Sequence, residues 1–299
     1  MVPRDELTTP EAIPHDVDDG ALRCLQDLEN RVRWLSSWTI HHANNIRENL
    51  DGLKVGGHQA SCASAVTLMT ALYFHALRPQ DRVAVKPHAS PVFHVIQYLM
   101  GHQSLENLQN FRAKGGAQSY PSRTKDADDV DFSTGSVGLG PAMTAFSSIV
   151  QDYLRRHHDD FRREEPGRMI AVVGDAEMDE GNMYEALWEG WKHDLRNCWW
   201  IIDYNRQSLD GVVTDHLFRL IDRLFRTTGW RVLTLKYGKR MMAAFKRPGG
   251  KALKKWINDC PNDLYSALTF QGGAAWREHL MGGLADDSAA AALIGGYTD

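Results

Sequence analysis

Met169-Ile170-Ala171-Val172-Val173-Gly174-Asp175 and Cys198-Trp199-Trp200-Ile201-Ile202-Asp203-Tyr204-Asn205 are the stretches whose reading decides the fold. Each is a nearly continuous apolar run that ends in polar residues. A strand with one wet face would alternate apolar and polar positions, so unbroken runs imply strands covered on both faces. Helical spacing fills the intervals: 141–157, 183–193 and 216–227 read as helices, and 230–235 as one more strand. Strands and helices in alternation mean parallel strands joined by right-handed crossovers. The expected class is α/β, a parallel sheet with helices on both faces. Ligands of such sheets bind beyond the carboxyl ends of the strands, which directs attention to Gly174-Asp175 and Asp203-Tyr204-Asn205.

Upstream, Leu22, Leu25, Leu28, Val32 and Leu35 recur at helical spacing and predict a long helix over 22–49. A Ser- and Ala-rich apolar run predicts a buried helix over 58–77, with Pro79 as its stop signal. A strand over 82–86 ends at Pro87-His88, and helical spacing returns over 92–100 and 105–111. Residues 112–137 are polar and rich in Gly, Ser and Asp, a loop long enough to be read as a site loop. Residues 1–20 read as a loose leader, 21–299 as a single domain, and 239–299 within it as helical but weakly patterned.

The composition agrees with a globular α/β protein and excludes several function classes. Across 299 residues, 34 Lys and Arg stand against 38 Asp and Glu, so the chain lacks the basic excess that non-specific nucleic-acid binding requires. Cys24, Cys62, Cys198 and Cys260 are far apart, without zinc spacing, and read as reduced, buried thiols. The acidic, Pro-containing amino terminus is no secretory signal, and no run approaches the roughly 18 apolar residues of a membrane span. The expected location is the cytoplasm.

Asp175 and Asn205 lie thirty positions apart at the ends of the two apolar strands. A carboxylate, an amide oxygen and a main-chain carbonyl, completed by phosphate oxygens, form the hard oxygen shell that Mg²⁺ prefers. Gly174 is expected to let the chain turn sharply, and the helix over 183–193 to present its N-terminus to an anionic phosphate. Either residue alone could be a helix cap or a turn; their joint placement is what points to a site. Gly138-Leu139-Gly140 fails as a dinucleotide fingerprint because Met143 stands where Gly or Ala is needed, and fits an anion loop that enters a helix at Pro141. The pairs His41-His42 and His157-His158 sit on helices where neighbours face different ways, and no role is assigned to them.

At these residues the sequence resembles the thiamine diphosphate enzymes, whose signature is a G-D-G triplet at one strand end and an Asn-containing segment one strand later. Gly57-His58, Lys86-Pro87-His88-Ala89-Ser90-Pro91, Ser119-Tyr120-Pro121, Gly138-Leu139-Gly140-Pro141, the run 174–180 and the run 205–211 resemble, in order, the N-terminal half of the homodimeric E1 component of pyruvate dehydrogenase, a relative of transketolase. The resemblance implies a thiamine diphosphate-binding fold. It places Mg²⁺ and the diphosphate on Asp175, Asn205 and the carbonyl of Gln207, with Gly138, Gly140, Gly174, Ala176 and Glu177 beside the cofactor. His58, His88 and Tyr120 would line the cofactor and substrate pocket, and Glu180 would join an acidic path between paired active sites. Ala176 stands where the signature has its second Gly, a replacement that an ordinary α or β backbone tolerates and a positive φ would not. The family continues with a further strand, a pyrimidine-binding domain carrying the Glu that activates the cofactor, and a third domain. Nothing in this sequence corresponds to these, so the domain is expected to be incomplete at its C-terminus.

Three functions follow. The first is the binding portion of an E1 enzyme that decarboxylates pyruvate or another 2-oxo acid and passes the acyl unit to a lipoyl-bearing E2, or of a transketolase that moves a two-carbon ketol unit between sugar phosphates. Either would need a complementary pyrimidine-binding half or subunit, and the complete enzyme would be a homo-oligomer. The second is a non-catalytic fragment or cofactor-binding module, and the third an unrelated nucleotide-binding α/β protein. Nucleic acid and membrane are not expected partners.

Overall fold

Three parallel strands, β1 (Arg82–Ala84), β2 (Met169–Gly174) and β3 (Cys198–Asp203), form a sheet in the order β1-β2-β3. The structure is a computed structural model and describes residues 17–48, 52–162, 165–208, 211–212 and 215–298. Most of the expected leader and part of the run 205–211 lie outside these residues. Every residue of β2 is buried, as its unbroken apolar run requires. The register pairs Val83 with Ile170 and Ile170 with Trp199, and at the carboxyl end it pairs Gly174 with Asp203.

Helices cover both faces of the sheet. On one face, Val83, Ile170 and Val172 pack in one core with Val32 of α1 (Asp19–His41), Val66 and Met69 of α2 (Gln59–Ala71), and Phe93 and Ile96 of α3 (Ser90–Leu99). After the short α4 (Leu105–Gln109), α5 (Leu139–His157) lies on the other face, where Trp200 Nε1 donates to Thr144 Oγ1 at 3.2 Å. A one-turn α6 (Asp159–Arg162) and α7 (Gly181–Lys192) follow, the latter packed on α5. Asp18 starts α1 by accepting the N–H of Ala21, and α1 closes at His41 with a single π-type turn over 42–46, short of the expected 49. The strand expected over 82–86 ends at Ala84 because Lys86 begins a 3-10 turn at Pro87–Ala89.

The described residues divide into two compact units after Asn205. The second unit begins with a hairpin of β4 (Gln207–Ser208) and β5 (Gly211–Val212). Six helices follow: α8 (Leu217–Thr227), α9 (Lys239–Phe245), α10 (Gly250–Asp259), α11 (Asn262–Gln271), α12 (Gly273–Gly283) and α13 (Ser288–Gly295). Ala244, Leu253, Ile257 and Leu293 form a core of this unit.

Two expectations are corrected. Residues 230–235 are not a strand: no described strand pairs with them, and Leu233 and Leu235 are 81% and 89% exposed. Their composition suits a strand, but strand structure depends on a ladder partner that composition cannot supply. Of the four free cysteines, Cys62, Cys198 and Cys260 are buried as expected, whereas Cys24 is exposed on α1. No described helix is long and apolar enough to cross a membrane.

Candidate functional site

The carboxyl ends of the strands gather buried charge. Because Gly174 pairs with Asp203, Asp175 and Asn205 leave neighbouring strand ends one and two residues further on. Asp175 is 1% exposed and accepts the N–H of Ala176 at 3.1 Å, and Asn205 Nδ2 donates to Ser64 Oγ at 3.4 Å. Glu177, also buried, acts as a brace: one carboxylate oxygen accepts from Gly174 N and the other from Gly138 N, both at 2.8 Å. Burial pushes the Glu177 carboxyl up, opposed by these two N–H donors and by Lys86. The N–H of Gly138 is thereby engaged by Glu177.

Gly138 stands at φ 80° as the residue that opens α5, and a Cβ there would meet Asn182 Oδ1 at 2.6 Å and Glu180 Cβ at 2.8 Å, so only glycine fits. Gly140 is buried within the first turn of α5. Gly174 has an extended backbone (φ −79°, ψ 149°), which corrects the expectation of a sharp turn. What its missing side chain supplies is room, since a Cβ would lie 3.3 Å from Lys86 Cδ. Ala176 lies in the 3-10 turn Asp175–Asp179 with a negative φ, so the alanine is accommodated without strain. Glu180 is exposed at the start of α7. Gln207, the expected carbonyl ligand, lies in β4 of the second unit.

His58, His88 and Tyr120 come together in one row. The rings of His58 and His88 are 4.3 Å apart between centroids, and those of His88 and Tyr120 are 6.3 Å apart. His58 occupies the residue before α2 without a side-chain capping bond, His88 sits in the Pro87–Ala89 turn, and Tyr120 comes from the loop 112–137. The guanidinium of Arg112 lies 6.0 Å from the Tyr120 ring centroid and donates to Val55 O at 3.1 Å. Burial pushes the His88 imidazole down to about 4, helped by His58, Lys86 and Arg112. His58 is lowered by burial and by Arg112, Lys54 and Lys86. His88 is therefore a neutral ring at pH 7, able to accept a proton or share one. Cys62 donates to His88 O at 3.5 Å, and burial raises its thiol to about 12, which excludes it as a nucleophile.

The loop that carries Tyr120 is pinned from below. Buried His94 contacts Asp128 through Nδ1 and the carbonyl of Gln118 through Nε2 at 3.0 Å. Asp126 accepts from Gln118 N at 2.9 Å and from Ser122 N at 2.8 Å. His94, Asp126 and Asp128 offer ligand atoms within 4.8 Å of one another, but both Asp126 oxygens already hold the backbone around Tyr120.

Residues 64–252, more than half of the chain, match the family described as transketolase, thiamine diphosphate binding domain. The chain belongs to that family. It is 28% identical over 291 residues to the pyruvate dehydrogenase E1 component of Escherichia coli (strain K12), covering 94% of this chain and 32% of that protein. The E1 component of Cupriavidus necator is 30% identical over 267 residues, or 86% of this chain and 29% of the relative. The chain thus spans about a third of the length of these curated relatives. Among solved structures, the transketolase from Leishmania mexicana aligns with TM-score 0.61 at 18% identity, covering 71% of this chain and 32% of that one. The transketolase from Campylobacter jejuni aligns with TM-score 0.58 at 23% identity, covering 78% and 35%. These structures support the fold.

In this thiamine diphosphate binding domain a buried carboxylate and an amide side chain at adjacent strand ends have the chemistry of a hard-oxygen donor set, which would fit a divalent cation such as Mg²⁺. Arg112 beside Tyr120, His94 and Asp126 beneath the loop, and Lys86 and Asp203 at the strand ends have no role that the sequence alone assigns. The last two carried a signal. A Lys just after Val83-Ala84-Val85 and an Asp closing Trp199-Trp200-Ile201-Ile202 are charges placed where a covered sheet buries them.

Proposed function

We propose that this chain is the Mg²⁺- and thiamine diphosphate-binding portion of a pyruvate dehydrogenase E1-type enzyme, which decarboxylates a 2-oxo acid and passes the acyl unit to a lipoyl carrier. The observation that carries the cofactor reading is the register of β2 and β3, which brings Asp175 and Asn205 to adjoining strand ends within the matched family domain. The choice of E1 over transketolase is supported by the curated relatives, which extend over 86–94% of the chain. In this reading Asp175 and Asn205 hold the metal, the Glu177 brace keeps the Gly138 and Gly174 loops in place, and His58, His88 and Tyr120 face the reacting substrate. Thiamine diphosphate, when bound, supplies the nucleophilic thiazolium carbon and the electron sink for cleavage beside a carbonyl. Neutral His88 can then take or return a proton on the substrate. The reading brings with it pyruvate or another 2-oxo acid, a complementary pyrimidine-binding half, a lipoyl-bearing E2, a homo-oligomeric complete enzyme and a cytoplasmic location.

Calorimetric titration of the chain with thiamine diphosphate, with and without Mg²⁺, tests the binding half of the proposal, and Mg²⁺-dependent saturation is the expected result. Saturation by ATP in preference would assign the domain to nucleotides. Donor choice is tested in an assembly that contains the remaining part of an E1 enzyme, where pyruvate is expected to turn over. Turnover of a ketose phosphate would make it a transketolase, and binding without turnover a cofactor-binding module.

A further inference from the structure

At the strand ends, the Lys86 side chain crosses the end of β2 and reaches the neighbouring strand. Lys86 follows β1, its Cδ passes over Gly174 at the end of β2, and its Nζ lies 2.7 Å from Asp203 Oδ2 at the end of β3. Lys86 is 3% exposed and Asp203 9%. The ammonium also donates to Ser61 O at 3.2 Å, and Ser64 Oγ donates to the same Asp203 oxygen at 2.7 Å. Ser64 Oγ in turn accepts from Asn205 Nδ2 at 3.4 Å. A hydrogen-bonded line therefore runs from Lys86 through Asp203 and Ser64 to Asn205.

We propose that Lys86 and Asp203 are a positioning pair that acts as one unit, orienting Asn205 through Ser64 and setting the charge of the strand-end site for a divalent cation and a diphosphate. The proposal rests on the cofactor reading given above. Asn205 offers its oxygen to a metal only if its amide nitrogen points away, and the Ser64 hydroxyl holds that nitrogen. The charge arrangement points the same way: among the buried groups Asp175, Glu177, Asp203 and Lys86, three carboxyls meet one ammonium. Lys86 offsets Asp203, so the pair itself adds no net charge beside Asp175 and Glu177. Without Lys86, Asp203 adds a negative charge that favours Mg²⁺ and repels diphosphate. Without Asp203, the buried ammonium repels Mg²⁺, and Ser64 is left with the Ser61 carbonyl, at 3.3 Å, as its acceptor.

The two single variants therefore have opposite signatures in the full chain. Asp203→Asn is expected to weaken Mg²⁺ binding roughly 10- to 100-fold, the range for lost outer partners of metal ligands. Lys86→Gln is expected to leave Mg²⁺ affinity equal or tighter while thiamine diphosphate at saturating Mg²⁺ binds about tenfold more weakly. The double variant Lys86→Gln/Asp203→Asn, which keeps a donor facing an acceptor without charge, is expected to return both affinities to within about threefold of wild type. Ser64→Ala, an exposed change that leaves both charges in place, should lower Mg²⁺ affinity at an unchanged melting temperature, and it tests the orienting role even where a charge variant unfolds. Additive losses in the double variant, or unchanged Mg²⁺ affinity in Ser64→Ala, would overturn the pair while leaving the cofactor reading intact. A wild-type chain that bound neither Mg²⁺ nor thiamine diphosphate would overturn the cofactor reading itself and the pair with it.

Discussion

At the amino ends of the strands Asp81 is covered by protein and accepts from the main-chain N–H of Arg78 and of Arg168 and from both of their guanidinium groups. At the carboxyl ends, Asp175, Glu177 and Asp203 are buried, with Lys86 the one buried cation there among the described residues. The two ends of one sheet thus carry different balances. At the amino end Arg78 and Arg168 are matched by Asp81 and by Glu165, whose carboxylate pairs with Arg78, so the charges there are paired and serve stability. At the carboxyl end the described buried groups are three carboxyls and one ammonium, glycines make room at Gly138 and Gly174, and in the function proposed above this end serves binding. In the function proposed above, the surplus of buried carboxyls is what distinguishes an end prepared for a cation from one whose charges are paired.

Variants that act at one end only can break this comparison. Asp81→Ala leaves the largely covered Arg168 without its carboxylate, and loss of one partner of a covered pair is expected to cost about 3 kcal/mol in urea unfolding, with cofactor affinity spared. The same pair sets an acid limit. Burial pushes the Asp81 carboxyl up, but the bonds from Arg168 and Arg78 overcome it and hold the group at about 2, below its ordinary 3.8. A group lowered on folding contributes fully above its unfolded value, so this stability is expected to be present above pH 3.8 and lost as pH falls through about 2. Asp175→Ala should do the reverse: Mg²⁺-dependent thiamine diphosphate affinity falls about 100-fold, roughly 2.7 kcal/mol, while the unfolding midpoint does not drop. Equal loss of stability and affinity in both variants would erase the distinction between the ends.

Smaller effects sharpen it. Glu177→Ala leaves the N–H groups of Gly138 and Gly174 buried without their acceptor, and a loss of about 2 kcal/mol in stability is expected, with weaker cofactor binding as the loops loosen. His88, followed by NMR, should titrate near 4. Its pKa is lowered on folding by burial and by nearby positive charge, so protonation below the ordinary 6.5 disfavours the fold progressively until about 4. Titration near 6.5 would mean that the row of His58, His88 and Tyr120 is open to water. Gly174→Ala should cost less than about 1 kcal/mol, because its backbone angles suit any residue and only the Lys86 stem must shift. A larger loss would show that the path of Lys86 over β2 is rigid.

The sequence alone determined those features whose cause is local. The apolar runs of β2 and β3 fixed two parallel strands, of which β2 is fully buried while β3, last in the sheet order, leaves Trp199 40% exposed. Their polar ends pointed to the candidate site, and the spacing of Asp175 and Asn205 suggested a donor set. His58, His88 and Tyr120 were legible because their motifs resemble those of a family, and the structure brings the three rings into one row. Tertiary structure decided whatever needed a partner distant in the chain. Residues 230–235 have strand-like composition and form no strand, because a ladder exists only where a neighbour offers its edge. Gly174 reads as a turn residue, and only the path of Lys86 reveals it as a gap left for a side chain. Lys86 and Asp203 are 117 positions apart, and nothing in either neighbourhood says that they meet. They meet because the strand order sets β1 and β3 on either side of β2, so that a lysine stem can cross one strand end and reach the next, where burial makes each charge depend on the other.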